Sequence, residues 1–180
     1  MKLRRKIGDN SKGFTLVELM VAMFVLAIGV LGGMIMIILG MSRDNTNRMD
    51  TTATNAAQAV LEQIAAVPAN VDTTVLVTDC VPTAHSITTV GSAGGTGATL
   101  LTDGSGNVDF SAAPVANYQT PFTVCGTNGL QITYDVRWRI TTLPSGGKLV
   151  IVAAGHPSTD NKSRAMAYIP PVTLRTIVGQ

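Results

Sequence analysis

The chain has 180 residues, 46% of them hydrophobic and only 13% charged, with a formal net charge of +2. That length accommodates one apolar anchor and one domain of ordinary size, large enough to bury a core of its own. Residues 1–13 hold five of the basic residues and Asp9, so the remainder carries 8 basic against 10 acidic side chains; with those cations scattered and aromatic residues few, no case for a nucleic-acid partner can be made.

Lys2, Arg4, Arg5, Lys6 and Lys12 all precede a run, residues 19–41, that contains no charged side chain and no proline. About 20 apolar residues at 1.5 Å rise each cover the hydrocarbon core of a bilayer, so the run is a single membrane-spanning helix. The positive-inside bias keeps the N-terminus in the cytoplasm and sends the rest of the chain across the membrane. No small-residue cleavage site follows the run before Ser42, so it is expected to stay in the mature protein. Glu18 stands at the edge of this helix. A carboxylate in the membrane costs on the order of 2.5 kcal/mol or more without a partner, which marks Glu18 as functional.

Gly13-Phe14-Thr15-Leu16-Val17-Glu18 resembles the processing site of type IV prepilins and type II secretion pseudopilins, with the short basic leader before it and the apolar helix after it. The resemblance implies that prepilin peptidase cuts between Gly13 and Phe14 and that the new N-terminal Phe14 is N-methylated. It further implies that Glu18 pairs with the Phe14 amine of a neighbouring subunit during assembly. The partners are then other pilin or minor-pilin subunits. The chain moves from the inner membrane to a pilus, the cell surface or the periplasm. The corresponding layout is a leader at 1–13, an assembly helix at 14–41, an amphipathic extension at 42–67 and a periplasmic or surface domain at 68–180. A plain single-pass anchor is the other reading of the same run.

In the extension, Met49, Ala53, Ala56, Val60, Ile64 and Val67 recur at steps of three and four and form one apolar face. Pro68 disfavours helix at Val67 and supplies a stop. A helix over residues 15–66 would be ~78 Å long, a length suited to a filament subunit. Gly29 and Gly33 form G-x-x-x-G, which serves either close helix packing or local loosening, or simply reflects how common glycine is in membrane helices.

Residues 71–130 are rich in Thr, Gly, Ser and Ala and read as mostly irregular, with short strands at 72–78 and 86–90 and a flexible glycine loop at 91–97. Cys80 and Cys125 lie beyond the membrane, where the simplest reading is a disulfide; two buried free thiols are the alternative. Residues 103–109 space oxygen-bearing side chains like the start of a calcium loop, but Val108 and Pro114 replace the required glycine and glutamate, so a polar hairpin turn is the better reading. No metal or other cofactor is expected.

Ile132, Tyr134, Val136, Trp138 and Ile140 alternate with polar residues, which predicts a strand with one apolar face. Pro144-Ser145-Gly146-Gly147 supplies a turn, and 148–154 follows as a more fully apolar strand, pairing as an antiparallel hairpin. Residues 165–169 and 172–178, broken by Pro170-Pro171, add an edge. The element that covers the sheet is expected to be the 42–67 helix half. Residues 131–139, and the helix segment 26–32, also resemble PilV-type minor pilins, which favours a minor pilin over a major subunit or a pseudopilin. His85 and His156 are read as surface residues with no metal-ligand spacing, and no hydrolase motif occurs, so no catalytic residue and no enzyme activity are expected. The expected fold is therefore α+β: a long N-terminal helix packed on a small C-terminal antiparallel sheet.

Overall fold

The structure, a computed structural model, describes residues 15–126, 129–156 and 171–179. Gly13 and Phe14, and the 165–169 segment expected at the sheet edge, lie outside the described residues. Helix α1 (Leu16–Ala65) is followed by β1 (Thr74–Thr78), β2 (Ala84–Thr88), β3 (Thr96–Gly97), β4 (Gln119–Cys125), β5 (Gln131–Thr142), β6 (Lys148–Gly155) and β7 (Val172–Val178). A long apolar helix followed by antiparallel sheets is the α+β layout of a pilin-like chain. The chain divides into two compact units, with α1 contributing to both.

In the first unit, residues 15–45 are helical from Leu16 onward and those from 15 to 44 are exposed. In the second unit the helix ends in a tightened turn. The Val67 N–H donates to the Ile64 carbonyl at 3.2 Å, and Pro68 prevents continuation. Ala53, Ala56, Ala57, Val60 and Ile64 are buried, as the three-four spacing requires, and join one core with Tyr134, Val136, Trp138 and Ile140 of β5 and Val150, Val152 and Ala154 of β6.

The larger sheet runs β3-β5-β6-β7 with β4 also paired to β5, and every pairing in it is antiparallel. The β5–β6 hairpin sets Trp138 opposite Val152 and Ile140 opposite Val150. Its turn closes through the Leu143 N–H on the Gly147 carbonyl at 2.8 Å. Strand β6 is apolar on both faces because both are covered: Val150 and Val152 meet the helix-side core, while Ile151 and Ala153 pack with Ala98, Val108, Leu100 and Phe110 in a second cluster.

That second cluster lies on the polar face of β5, which is therefore covered as well. Arg137 is 8% exposed. Its guanidinium pairs with Asp135 at 2.8 Å, donates to the Ala112 carbonyl at 2.9 Å and sits 4.8 Å from the Phe110 ring centre. Arg139 donates to the Gly94 and Ala98 carbonyls at 2.7 and 3.2 Å. Both arginines thus hold the 94–112 segment against the sheet through its backbone oxygens. The glycine segment is accordingly not a free loop: Ser92 bridges Thr141, and β3 pairs with β5. Gly97, at φ +112°, approaches so closely that a Cβ would lie 2.3 Å from the Trp138 carbonyl oxygen.

Strand β4 is a further correction to the irregular reading. It pairs along its length with β5, Phe122 opposite Tyr134, despite Pro121. Residues 99–109 form a small hairpin in which Leu100 bridges Val108. Its aspartates are used locally: Asp103 accepts from the Ser105 N–H and Asp109 from the Ser111 N–H, each at 2.8 Å. Those bonds to Ser105 and Ser111 hold both carboxyls below the usual carboxylate range.

Candidate functional site: the helix start and the stapled hairpin

Thr15 occupies the N-cap of α1. Its hydroxyl accepts from the Glu18 N–H at 3.3 Å and its carbonyl accepts from the Leu19 N–H at 3.2 Å. Two of the donors that a helix start leaves unpaired or begins to pair are therefore met by one residue. Glu18 is the acidic residue of the first turn, where a negative charge is favoured by the helix dipole. Thr15-x-x-Glu18 is the spacing of a capping box, a signal present in the sequence that an assignment of Glu18 to intersubunit pairing alone passes over. What the structure shows there is the backbone bond from the Glu18 N–H to Thr15 and the place of Glu18 in the first turn.

Beyond this start the helix presents apolar side chains on all sides. Leu16 is 75% exposed and Met36 78%, and Phe24, Leu26, Leu31 and Ile38 are all exposed. A surface of that size is stable only against lipid or other helices. Among the described residues α1 is the one helix long and apolar enough to cross a membrane. Among the described residues, Gly29, Gly32, Gly33 and Gly40 have open space where a Cβ would stand.

In the second unit, Cys80 and Cys125 form a disulfide across a sequence separation of 45 residues. It ties the loop of the β1–β2 hairpin to the end of β4. Asp79 sits beside it with its side chain 3% exposed. One carboxylate oxygen accepts from the Val81 and Thr83 N–H groups at 3.0 and 3.1 Å; the other faces His85 Nε2 at 3.1 Å and the Thr123 N–H at 3.3 Å. Burial would raise the Asp79 carboxyl, but the bonds from His85 and from the Thr83, Thr123 and Val81 backbone outweigh it and hold it below the usual carboxylate range. This corrects the surface reading of His85, whose side chain is only 12% exposed. His156 is exposed, with its ring edge-on to Tyr134 at 6.0 Å.

Two more anchors escaped the sequence. Lys148 is 5% exposed and its ammonium donates to Asp72 at 2.7 Å and to the Val71 and Thr89 carbonyls at 2.9 and 3.0 Å. Tyr134 bonds the Thr52 hydroxyl and donates to the Met49 carbonyl, pinning α1 to β5. Burial raises the Tyr134 hydroxyl above its ordinary range. None of these groups forms a catalytic arrangement: the thiols are bonded to each other, and among the described residues no set of three His, Cys, Asp or Glu side chains is placed to hold a metal.

Residues 8–34 match the family model of the prokaryotic N-terminal methylation motif. No curated protein and no solved structure matches the chain. The matched residues include Gly13, Phe14, Thr15 and Glu18 and run well into the exposed apolar helix. The motif indicates a type IV pilin-like or pseudopilin protein that is processed by prepilin peptidase and associates with the membrane and with pilin subunits.

Proposed function

We propose that the chain is a minor pilin, a structural subunit or assembly factor of a type IV pilus. Prepilin peptidase cuts it after Gly13, and Phe14 becomes its methylated N-terminus. The observation that carries this reading is that residues 8–34, which match the methylation motif, join Gly13-Phe14 to a capped helix start bearing Glu18 and an apolar surface exposed on every side. The proposed layout is a leader at 1–13, an assembly helix at 14–41, its amphipathic continuation at 42–67 and an extracytoplasmic domain at 68–180.

Cleavage creates a positive amine beside the positive end of the α1 dipole, which is unfavourable within one chain. Glu18 offsets it there and, in a filament, meets the Phe14 amine of a neighbour, so the charge that is costly in lipid is neutralised on assembly. The function is assembly, with no cofactor and no turnover. The chain sits N-in in the inner membrane first and in the filament afterwards, and the disulfide between Cys80 and Cys125 suits an oxidising extracytoplasmic compartment.

The preference for a minor pilin rests on the resemblance of residues 26–32 and 131–139 to PilV-type sequences. A type II secretion pseudopilin is the second reading, favoured by the same processing motif. The test is Glu18→Ala in the native host, assayed in sheared surface fractions. The proposal expects cleavage to proceed and incorporation into filaments to fall by roughly 70-fold, the equivalent of about 2.5 kcal/mol. Normal incorporation overturns the role of Glu18. Absence of the unsubstituted chain from the pilus fraction, with protein export lost when the chain is deleted, identifies a pseudopilin.

A further inference from the structure

Among the described residues β1 pairs only with β2, so its other edge is open. The ladder fixes which groups that edge presents. The Thr89 N–H donates to the Thr73 carbonyl and the Asp79 N–H to the Thr83 carbonyl, so residues 73, 75, 77 and 79 point their backbone groups toward β2. Thr74, Leu76 and Thr78 therefore direct theirs outward. The edge lacks the devices that normally protect one: it has no lysine, no proline and no bulge, and Leu76 at its centre is 67% exposed. Of the flanking carboxylates, Asp79 is buried against His85 and the loop backbone, and Asp72, half exposed, is paired with Lys148 at 2.7 Å.

The sequence of the strand, Thr74-Val75-Leu76-Val77-Thr78, reads the same in both directions. Two copies set antiparallel about Leu76 place Leu76 against Leu76, Thr74 against Thr78 and Val75 against Val77. In that register the outward backbone groups of each copy satisfy those of the other, and no carboxylate faces a carboxylate. A slip of two residues puts Leu76 against a threonine instead, so the central register is the favoured one. The contact is isologous and closes on itself, as two-fold dimers require. It also turns a two-stranded ribbon, marginal alone, into a continuous four-stranded sheet.

We infer that the β1 edge is a homotypic docking surface, through which two copies of this chain pair by antiparallel β-augmentation centred on Leu76. The inference does not rest on the pilin-like reading. It is tested on the full chain in its membrane. The two native cysteines are bonded to each other, so Leu76→Cys introduces the reactive thiol, and a short bismaleimide is the probe. Opposed 76 positions lie about one strand spacing apart, ~4.8 Å, within its reach. In the same sheet, copies of Ser86→Cys on β2 lie three spacings apart, beyond it.

The expected result is a cross-linked dimer of this chain at Leu76→Cys and none at Ser86→Cys. Adding Thr74→Pro removes an outward N–H from each copy and leaves the β1–β2 ladder intact; it should weaken self-association roughly 10-fold or more. Thr78→Lys, which leaves the backbone unchanged, is a second block with the same expected loss. No dimer at Leu76→Cys, equal yield at Ser86→Cys, yield unchanged by both blocks, or cross-linking only to a different polypeptide each overturns the inference.

Discussion

Replacing Cys80 and Cys125 together with alanine should lower the stability of the second unit by up to about 4 kcal/mol. The bond closes a loop of 45 residues, and the chain-entropy relation assigns a loop of that length about 4 kcal/mol at room temperature. The native geometry does not depend on the bond alone. The Cys80 N–H reaches the Thr123 carbonyl at 3.4 Å, and Asp79 accepts from the Thr123 N–H, so the hairpin keeps two contacts with β4 when the sulfurs are gone. The loss should therefore fall on the denatured side, as greater freedom of the unfolded chain. Trp138 of β5, the only tryptophan, is fully buried with its indole N–H donating to the Thr88 carbonyl of β2 at 3.0 Å, and it reports the transition by fluorescence during urea unfolding of the detergent-solubilised chain. A single transition shifted by 3–4 kcal/mol supports the reasoning. A loss below about 1 kcal/mol would show that the staple adds little beyond those two contacts, and an early separate transition would show that the hairpin had been held only by sulfur.

Lys148→Met keeps the aliphatic stem but leaves the Val71 and Thr89 carbonyls without their shared donor. Asp72, 53% exposed, can turn to water, so the expected cost is about 2–4 kcal/mol, measured by the same unfolding assay. Asp79 has a carboxyl held below its unfolded value near 3.9, so its stabilisation is fully present above that pH and disappears as pH falls through the folded value. Wild type should thus lose more stability between about pH 5 and pH 2 than Asp79→Asn does. Parallel pH profiles of the two proteins would rule that contribution out.

The parts of the fold that sequence patterns reveal are those governed by one period. The three-four spacing of Ala53, Ala56, Val60 and Ile64 names the helix face that is buried, and the alternation from Ile132 to Ile140 names the strand it covers. Strand β6 is apolar at every position after Lys148, a pattern that implies cover on both faces, and the second face is occupied by Val108 and Phe110. What stayed hidden depends on contacts between distant segments. Pro121 and the surrounding threonines mask β4, whose Thr120 and Phe122 are buried only because β5 lies alongside. Arg137 and Arg139 look like solvent residues until carbonyls 25 to 45 positions away come within reach. Asp79 and His85 become a buried pair through the fold of one hairpin. At the helix start the reverse holds: Gly13, Phe14 and Glu18 are legible through a motif, and the capping spacing from Thr15 to Glu18 was readable from the same residues.

The central claim is that the leader is removed and the helix start is chemically remade. Intact-mass analysis with N-terminal sequencing of the chain extracted from its native membrane tests it most directly. The account predicts a chain that begins at N-methylated Phe14, lacking residues 1–13. Retention of residues 1–13 in a host with an active prepilin peptidase would contradict it, leaving an ordinary membrane anchor and removing the basis for assembly through Glu18.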